Sequence, residues 1–371
     1  MSSRLTRSAP LLLAGVLPAA LLCIGIGHVI LNHFFSHAPY LLDSGWYSDI
    51  VYRAGLAPRN PQIACDYADW YFGVHFSPFI SVFSIASYVV PLDRIEWYAV
   101  FQAICFLPFG VATYMLASRI EPQISPRRLP ITIAAAIAFA FNGQILRMVT
   151  YPHYEGAIAG FGCLVLVALV TSRIRLAWIL FAIAISVRED AGFHTALAIA
   201  PLLYLQWRGV EMSPSRRTVV AMIAIAIGSS VLGSLCQKLV FHGPSVMTIV
   251  YLGEPIYGHL SWSVIGQRAQ NFFATCQVMY YPFIATCVVA AIKRDVRYLL
   301  GWAAGLPWFV LNFLAAQEQK ATFEAYSGFP YIVSIFWVYL YGAKLAPATR
   351  RFRPVIVEAM FIAICLLATL G

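Results

Sequence analysis

Long apolar stretches alternate with short polar ones along the whole of this chain. Helices of about 20 apolar residues cross about 30 Å of hydrocarbon. On that measure spans are predicted at 9–33, 96–118, 129–146, 154–171, 175–187, 191–207, 218–240, 271–292, 297–315, 327–345 and 354–370. The fifth is short and crosses only if Val187 to Asp190 lies at the surface. The segment from Phe76 to Leu92 is also apolar, but it opens on His75 and closes on Asp93 and Arg94. Counting it as a crossing would break the alternation of basic loops described below, so it is expected to lie along, or dip into, the outer interface. The expected fold class is all-α: a polytopic transmembrane helical bundle of about 11 spans plus an outer interfacial helix. It forms a single integral membrane domain over 1–371, with 35–96 as a first outer loop.

Composition agrees with that pattern. The chain is 60% hydrophobic and only 11% charged, where a soluble domain is about 25% charged; its mean hydropathy is +0.74. The net charge of +9 invites a nucleic-acid reading, but the cations sit in short loops between apolar spans, with no basic groove or stacking platform. The positive-inside rule accounts for them. Arg4 and Arg7, Arg119 to Arg128, Arg173 and Arg175, Arg208 to Arg217, Lys293 to Arg297, and Lys344 to Arg353 fill every second loop. The N-terminus is then cytoplasmic and the C-terminus outer. The run from Ala9 to about Leu31 exceeds a signal-peptide core and lacks a small-residue cleavage site after it, so it is read as a retained first helix. Most cysteines fall within spans and no CxxC spacing occurs, which supports neither a disulfide framework nor a zinc site.

With this topology the histidines and most carboxylates fall on the outer side. Charge is costly in lipid, so such one-sidedness points to chemistry at that face. Polar clusters mark the outer helix ends: Leu42 to Asp49, His75 to Pro78, Tyr151 to Glu155, and Arg188 to Gly192 with His194 a turn later. Asp43 is a candidate general base, although Asp before Ser-Gly also suits a helix cap or turn. His75 and His153 are candidates to hold phosphate, donate a proton or ligate a metal. Glu189 and Asp190 are adjacent, so one of them faces a cavity, with Arg188 paired to it or to an anionic ligand; acids at a helix N-terminus are the alternative. Arg147, Arg188, Arg268 and Lys320 are cations on the wrong side for the charge rule, held there by a phosphate group or by nearby acids. Trp46, Tyr47, Trp70, Tyr71 and Phe72 suit either an interfacial belt or a sugar-stacking surface.

Taken together, these clusters resemble an uncharacterised bacterial membrane family, the domain of unknown function 2079. Its runs look like Phe-Asp-x-Gly-x-Phe-Asp-Gln, His-Phe-Ser-Pro, Asp-Phe-His-x-Glu and Lys-Glu-Asp-Ala-Gly. Asp43, Gly45 and Tyr47 match the first run, His75 to Pro78 the second, His153 and Glu155 the third, and Glu189 to Gly192 the fourth. The match is clear over about 40–205 and looser beyond, with Tyr326 to Pro330 in a plausible final position. Ser48 stands where an acid is common, Tyr151 replaces Asp, and Arg188 replaces Lys.

That family looks like a distant branch of the GT-C membrane glycosyltransferases. The resemblance implies an enzyme of the bacterial plasma (inner) membrane that transfers a sugar from a polyprenyl-phosphate donor to an acceptor on the outer, periplasmic face. It implies Asp43, Glu189 and Asp190 as catalytic residues, and His75, His153, Glu155, Arg188, Arg147, Tyr47 and Tyr326 as the substrate and phosphate pocket. A divalent metal is a candidate cofactor, with His75, His153, Glu155 and Asp190 as candidate ligands. The expected partners are membrane lipids, the lipid-linked donor and an acceptor, and no nucleic acid. The alternative is a transporter or flippase for a lipid-linked or anionic substrate, since buried ionisable groups also mark transport paths; against it, no inverted repeat with broken helices is visible. A non-catalytic scaffold of the cell envelope is the third reading.

Overall fold

A computed structural model of the chain describes residues 25, 27, 41–61, 68–120, 125, 127–149, 151, 153–245, 247–323, 325–347 and 352–369, the side chains at 41, 42, 325 and 326 excepted. Almost all of the first predicted span, together with Cys65 and Asp66, falls outside these. Regular structure among the described residues is helical, and Arg59 and Trp70 form an isolated β-bridge. The main helices are α1 (Leu41–Val51), α2 (Pro78–Ala86), α3 (Arg94–Ile120), α4 (Leu129–Ala140), α5 (Gly143–Val149), α6 (Gly156–Val170) and α7 (Ile174–Ser186). They continue as α8 (Ala191–Trp207), α9 (Arg216–Leu239), α10 (Trp262–Thr275), α11 (Gln277–Lys293), α12 (Leu300–Phe313), α13 (Phe329–Leu340) and α14 (Pro354–Leu367).

Each predicted span from 96 onward holds a helix, but the expectation of about 11 full crossings needs correction. Among the described residues, α3 and α9 alone are long and apolar enough to cross a membrane. The number reaches four if the bent pairs α4–α5 (46°) and α10–α11 (80°) each count as one broken span. The reason is length. At about 1.5 Å per residue, the 13 residues of α7 reach only about 20 Å.

α6 is the centre. It is apolar all round, and every one of its residues from Gly156 to Val170 is buried, as expected for a helix packed on all sides. α3, α7, α8 and α13 surround it. Its glycines permit the closeness: a Cβ on Gly156 would stand 3.0 Å from the Phe106 ring, and one on Gly160 3.0 Å from Pro108. In lipid, where burial itself gives no drive between helices, such small-residue contact is what holds them.

The break between α4 and α5 has a local cause. Buried Asn142 donates through Nδ2 to the Phe139 carbonyl (2.7 Å) and accepts from the Ile145 amide (3.1 Å), so one side chain ends one helix and starts the next. At the end of the bundle remote from the polar clusters, Glu358 of α14 is fully buried and receives Arg128 Nε (3.1 Å), Arg128 Nη2 (2.8 Å) and Thr132 Oγ1 (3.0 Å) from the start of α4. That fork satisfies a carboxylate otherwise expensive in an apolar span.

The helix expected near 76–92 is α2. Ser77 caps it, accepting from the Ile80 amide, and Pro78 occupies the first turn. Along its buried side Ser84 Oγ accepts from the amides of Ala54 and Gly55 (2.7 and 2.8 Å), Ser87 Oγ accepts from Arg53 (2.8 Å), and Ser81 Oγ donates to Leu56 (2.6 Å). The opposite side exposes Val82, Ile85, Tyr88 and Val89. A serine stripe thus fastens the first loop while an apolar stripe faces outward, the division an interfacial helix needs. The stretch 242–270, which lies between two predicted spans, contains a π turn at Met247–Leu252 and most of α10.

Candidate functional site

The polar clusters meet at one end of the bundle. α1 carries Asp43 and Tyr47; the segment before α2 carries His75; the α5–α6 connection carries His153 and Glu155; the α7–α8 connection carries Arg188, Glu189 and Asp190. Glu155 and Asp190 sit at the N-caps of α6 and α8, just outside the helices, where the positive end of the helix dipole favours an acid.

Two of the runs lock onto each other directly. His75 Nδ1 lies 3.0 Å from Glu189 Oε1, the Phe76 amide donates to Glu189 Oε2 at 3.0 Å, and Ser77 Oγ donates to the Val187 carbonyl at 2.6 Å. The His-Phe-Ser-Pro run is therefore both the cap of α2 and the clamp on the α7–α8 connection. Gly192 completes the fit: a Cβ there would lie 1.9 Å from the Ala226 carbonyl of α9, so α8 and α9 touch backbone to backbone.

The other runs form a chain of ionisable groups. Asp43 Oδ2 stands 3.9 Å from His153 Nε2; His153 Nδ1 stands 3.2 Å from the Tyr47 hydroxyl and 3.3 Å from Glu155 Oε2. Arg188 Nη1 donates to Glu155 Oε1 (2.5 Å), and its Nε and Nη2 donate to the two oxygens of Asp190 (2.7 and 2.5 Å). His194 Nε2 lies 3.5 Å from Asp190 Oδ2. The chain is closed in its middle: the Asp43 side chain is 35% exposed and that of Asp190 24%, while Glu155 between them is fully buried. Tyr71 and Tyr154, paired through their hydroxyls at 2.7 Å, and Trp46, at 5.9 Å from the Tyr71 ring, wall it.

Burial alone would raise the Glu155 carboxyl, but the charges of His153 and Arg188 outweigh it and hold the group well below the usual carboxylate range. Asp190 is likewise held down against its burial by the Arg188 guanidinium. Lys320, on the short turn Glu318–Ala321, is pushed down to about 8 by burial and then by the charge of Arg188. Burial pushes Tyr251 up, and it too feels Arg188, Asp190 and Glu155. Lys320 and Tyr251 thus belong to the same site. Ala316 and Gln317 donate their amides to the carbonyls of Tyr251 and Val250 (3.0 Å each), tying the two loops that carry them.

Of the residues singled out in the sequence, Asp43, Tyr47, His153, Glu155, Arg188 and Asp190 form this network, and His75 with Glu189 forms the clamp beside it. Arg147 is directed elsewhere: both its Nη atoms donate to the Thr275 carbonyl at 3.3 Å, at the end of α10. Arg268 likewise donates to the Phe313 carbonyl at 2.9 Å. Tyr326 lies on the short turn Ala325–Gly328, its side chain outside the described residues. The candidate metal set needs correction: among the described residues no three His, Cys, Asp or Glu side chains converge as a cation site. The Arg188 guanidinium stands between Glu155 and Asp190, and His75 is engaged by Glu189. No motif in the sequence points to Tyr251 or to Trp308, whose ring lies 5.7 Å from that of Tyr251 and 4.4 Å from that of His194; Lys320 had a signal in its placement against the charge rule. No family model, no curated protein and no solved structure matches the chain.

Proposed function

We propose that this end of the bundle is the active site of a membrane glycosyltransferase of GT-C type, working on the outer face of the bacterial inner membrane with a polyprenyl-phosphate sugar as donor. The observation that carries the reading is the convergence of Asp43, His153, Glu155, Arg188 and Asp190, drawn from α1 and two separated connections, in one chain of ionisable groups whose most accessible carboxylate is Asp43. Asp43 takes the proton of the acceptor hydroxyl; the acceptor oxygen bonds to the anomeric carbon; the bond from that carbon to the phosphate oxygen breaks, and its electron pair leaves with the lipid phosphate. The Asp43 proton passes to solvent. His153 Nε2 faces the Asp43 carboxylate at 3.9 Å, and Glu155 in turn orients His153. Arg188 and Lys320 supply positive charge toward the departing phosphate. Acids gathered at helix N-caps at one end favour surface chemistry over a midplane transport path.

The test is transfer itself. Purified protein in proteoliposomes is supplied with radiolabelled polyprenyl-phosphate hexoses and membrane-extract acceptors. Label should move from the organic-soluble donor to acceptor, and K320A should reduce that transfer. No transfer from any such donor by the folded protein contradicts the reading.

A further inference from the structure

The 17 residues of α8 lead from Asp190, in the ionic chain, to Trp207, about 25 Å away along the helix axis. There the chain turns back through a short connection into α9. The turn is firmly closed: the Arg208 and Val210 amides donate to the carbonyls of Tyr204 and Leu205 at 2.9 Å each, and Gln206 Nε2 donates to the Pro214 carbonyl at 2.6 Å. Beside it lies an open groove of about 390 Å³, lined by Ala200, Leu203, Tyr204 and Trp207 of α8 and by Arg216, the first residue of α9. Ligand pockets run from about 300 to 1,000 Å³. Trp207 is 66% exposed and Tyr204 38%, with ring centroids 6.2 Å apart; outward Trp and Tyr rings mark the level of lipid headgroups. Arg208, Arg216 and Arg217 flank the groove's end of the helix pair, and all three are exposed. Arg128 and Arg297 fork onto acids within the fold, Glu358 and Asp295. Among the described residues Arg208, Arg216 and Arg217 make no such pair, and Glu211, the one acid in their connection, is exposed and does not engage them.

We propose that this groove seats the headgroup of an anionic phospholipid of the phosphatidylglycerol kind, with Arg216 holding the phosphate and Arg208 and Arg217 supplying charge next to it. A guanidinium fork matches the oxygens of a phosphate, and basic pockets between helices at headgroup level hold anionic lipids in this way. The positive-inside rule asks only for cations in the connection; it asks for neither a groove nor a pair of rings beside them. Ala200 and Leu203 give the apolar surface against which the first carbons of the acyl chains lie. A zwitterionic headgroup would bring its own cation toward three arginines, so it fits less well. The lipid bridges α8 and α9 at the end of α8 away from their contact at Gly192, and by binding the folded chain it stabilises the pair. This site is separate from the ionic chain, and its occupancy does not depend on the function proposed above.

Native mass spectrometry of the full chain in detergent tests this, with phosphatidylglycerol or with phosphatidylcholine of the same acyl chains. The wild type should hold its first phosphatidylglycerol about tenfold or more tightly than phosphatidylcholine. R216Q/R217Q should lose most of that preference. R173Q/R175Q removes the same charge from exposed positions at the start of α7, and should leave the preference within about twofold of wild type. A200F, which fills the groove and keeps every charge, should weaken phosphatidylglycerol several-fold. W207A removes an exposed ring, should do the same, and guards against misfolding of A200F. Phosphatidylglycerol should also raise the melting temperature of the wild type more than that of R216Q/R217Q. An unchanged preference in R216Q/R217Q overturns the role of these arginines. An equal fall in both double variants makes the attraction one of diffuse charge and overturns the site. Wild-type binding by both A200F and W207A overturns the groove, and equal binding of phosphatidylcholine overturns the anionic headgroup.

Discussion

Arg188 is the residue on which the site turns. Its three donors engage Glu155 and Asp190 in a fork that a lysine ammonium has no geometry to repeat. Replacing it with Met leaves two carboxylates without their cation and should cost about 3–5 kcal/mol; R188K should cost less, about 1–3 kcal/mol. Melting of purified variants in detergent checks the order. The same network fixes an acid dependence. Unfolded Glu and Asp bind protons near about pH 4, whereas Glu155 and Asp190 stay ionised to lower pH in the folded chain. Their contribution is therefore present above the unfolded values and lost as pH falls through the folded ones. A melting-temperature series from pH 6 downward should fall less steeply in E155Q than in the wild type. Lys320 titrates in the other direction: cationic below about 8 and neutral above. Its reaction with an amine-selective acylating reagent, followed by peptide mass spectrometry, should rise with a midpoint near that value.

The elements explain why the motif residues are what they are, and how far the sequence could disclose it. Ser77 and Pro78 are legible in advance as a helix start, and so were the apolar runs that became α3, α6 and α9. That Ser81, Ser84 and Ser87 fasten the loop at 53–56 was not legible, because serine spacing reads equally as a solvated face. Gly192 is set by the α9 backbone passing at 1.9 Å from a would-be Cβ, whereas Gly45 has open space on that side, so packing does not explain it. Span length was overread because apolar runs continue through loops and breaks: Asn142 and Cys276 divide two runs that hydropathy alone joins. G192A should push α8 from α9, shift the connection that carries Arg188, and reduce transfer more than the remote G266A, where a Cβ meets nothing within 4 Å. Comparing their transfer rates and melting temperatures separates the close contact from a generic loss of glycine.

At the scale of the whole molecule, the surface outside the site is strongly apolar. On α9, Ile225, Val231, Leu232 and Leu239 are exposed, as are Phe283, Ile284, Val288 and Ile292 on α11. Apolar surface of that kind on a water-soluble protein would invite aggregation; against lipid it would be an ordinary boundary. A nitroxide at Leu232 should accordingly relax faster with oxygen than with a water-soluble nickel complex, and one at Arg127 should do the reverse. Within that frame the ionic chain is buried at Glu155 and Arg188 and most accessible at Asp43. The central claim is that Asp43 removes the acceptor proton. Its most direct test is the initial rate of sugar transfer from a polyprenyl-phosphate hexose in proteoliposomes by wild type and by Asp43→Asn, with folding of both checked by melting. A general base contributes about 10²–10⁴-fold, so the variant should be slower by at least about 100-fold; a well-folded Asp43→Asn protein that transfers sugar at the wild-type rate contradicts the account.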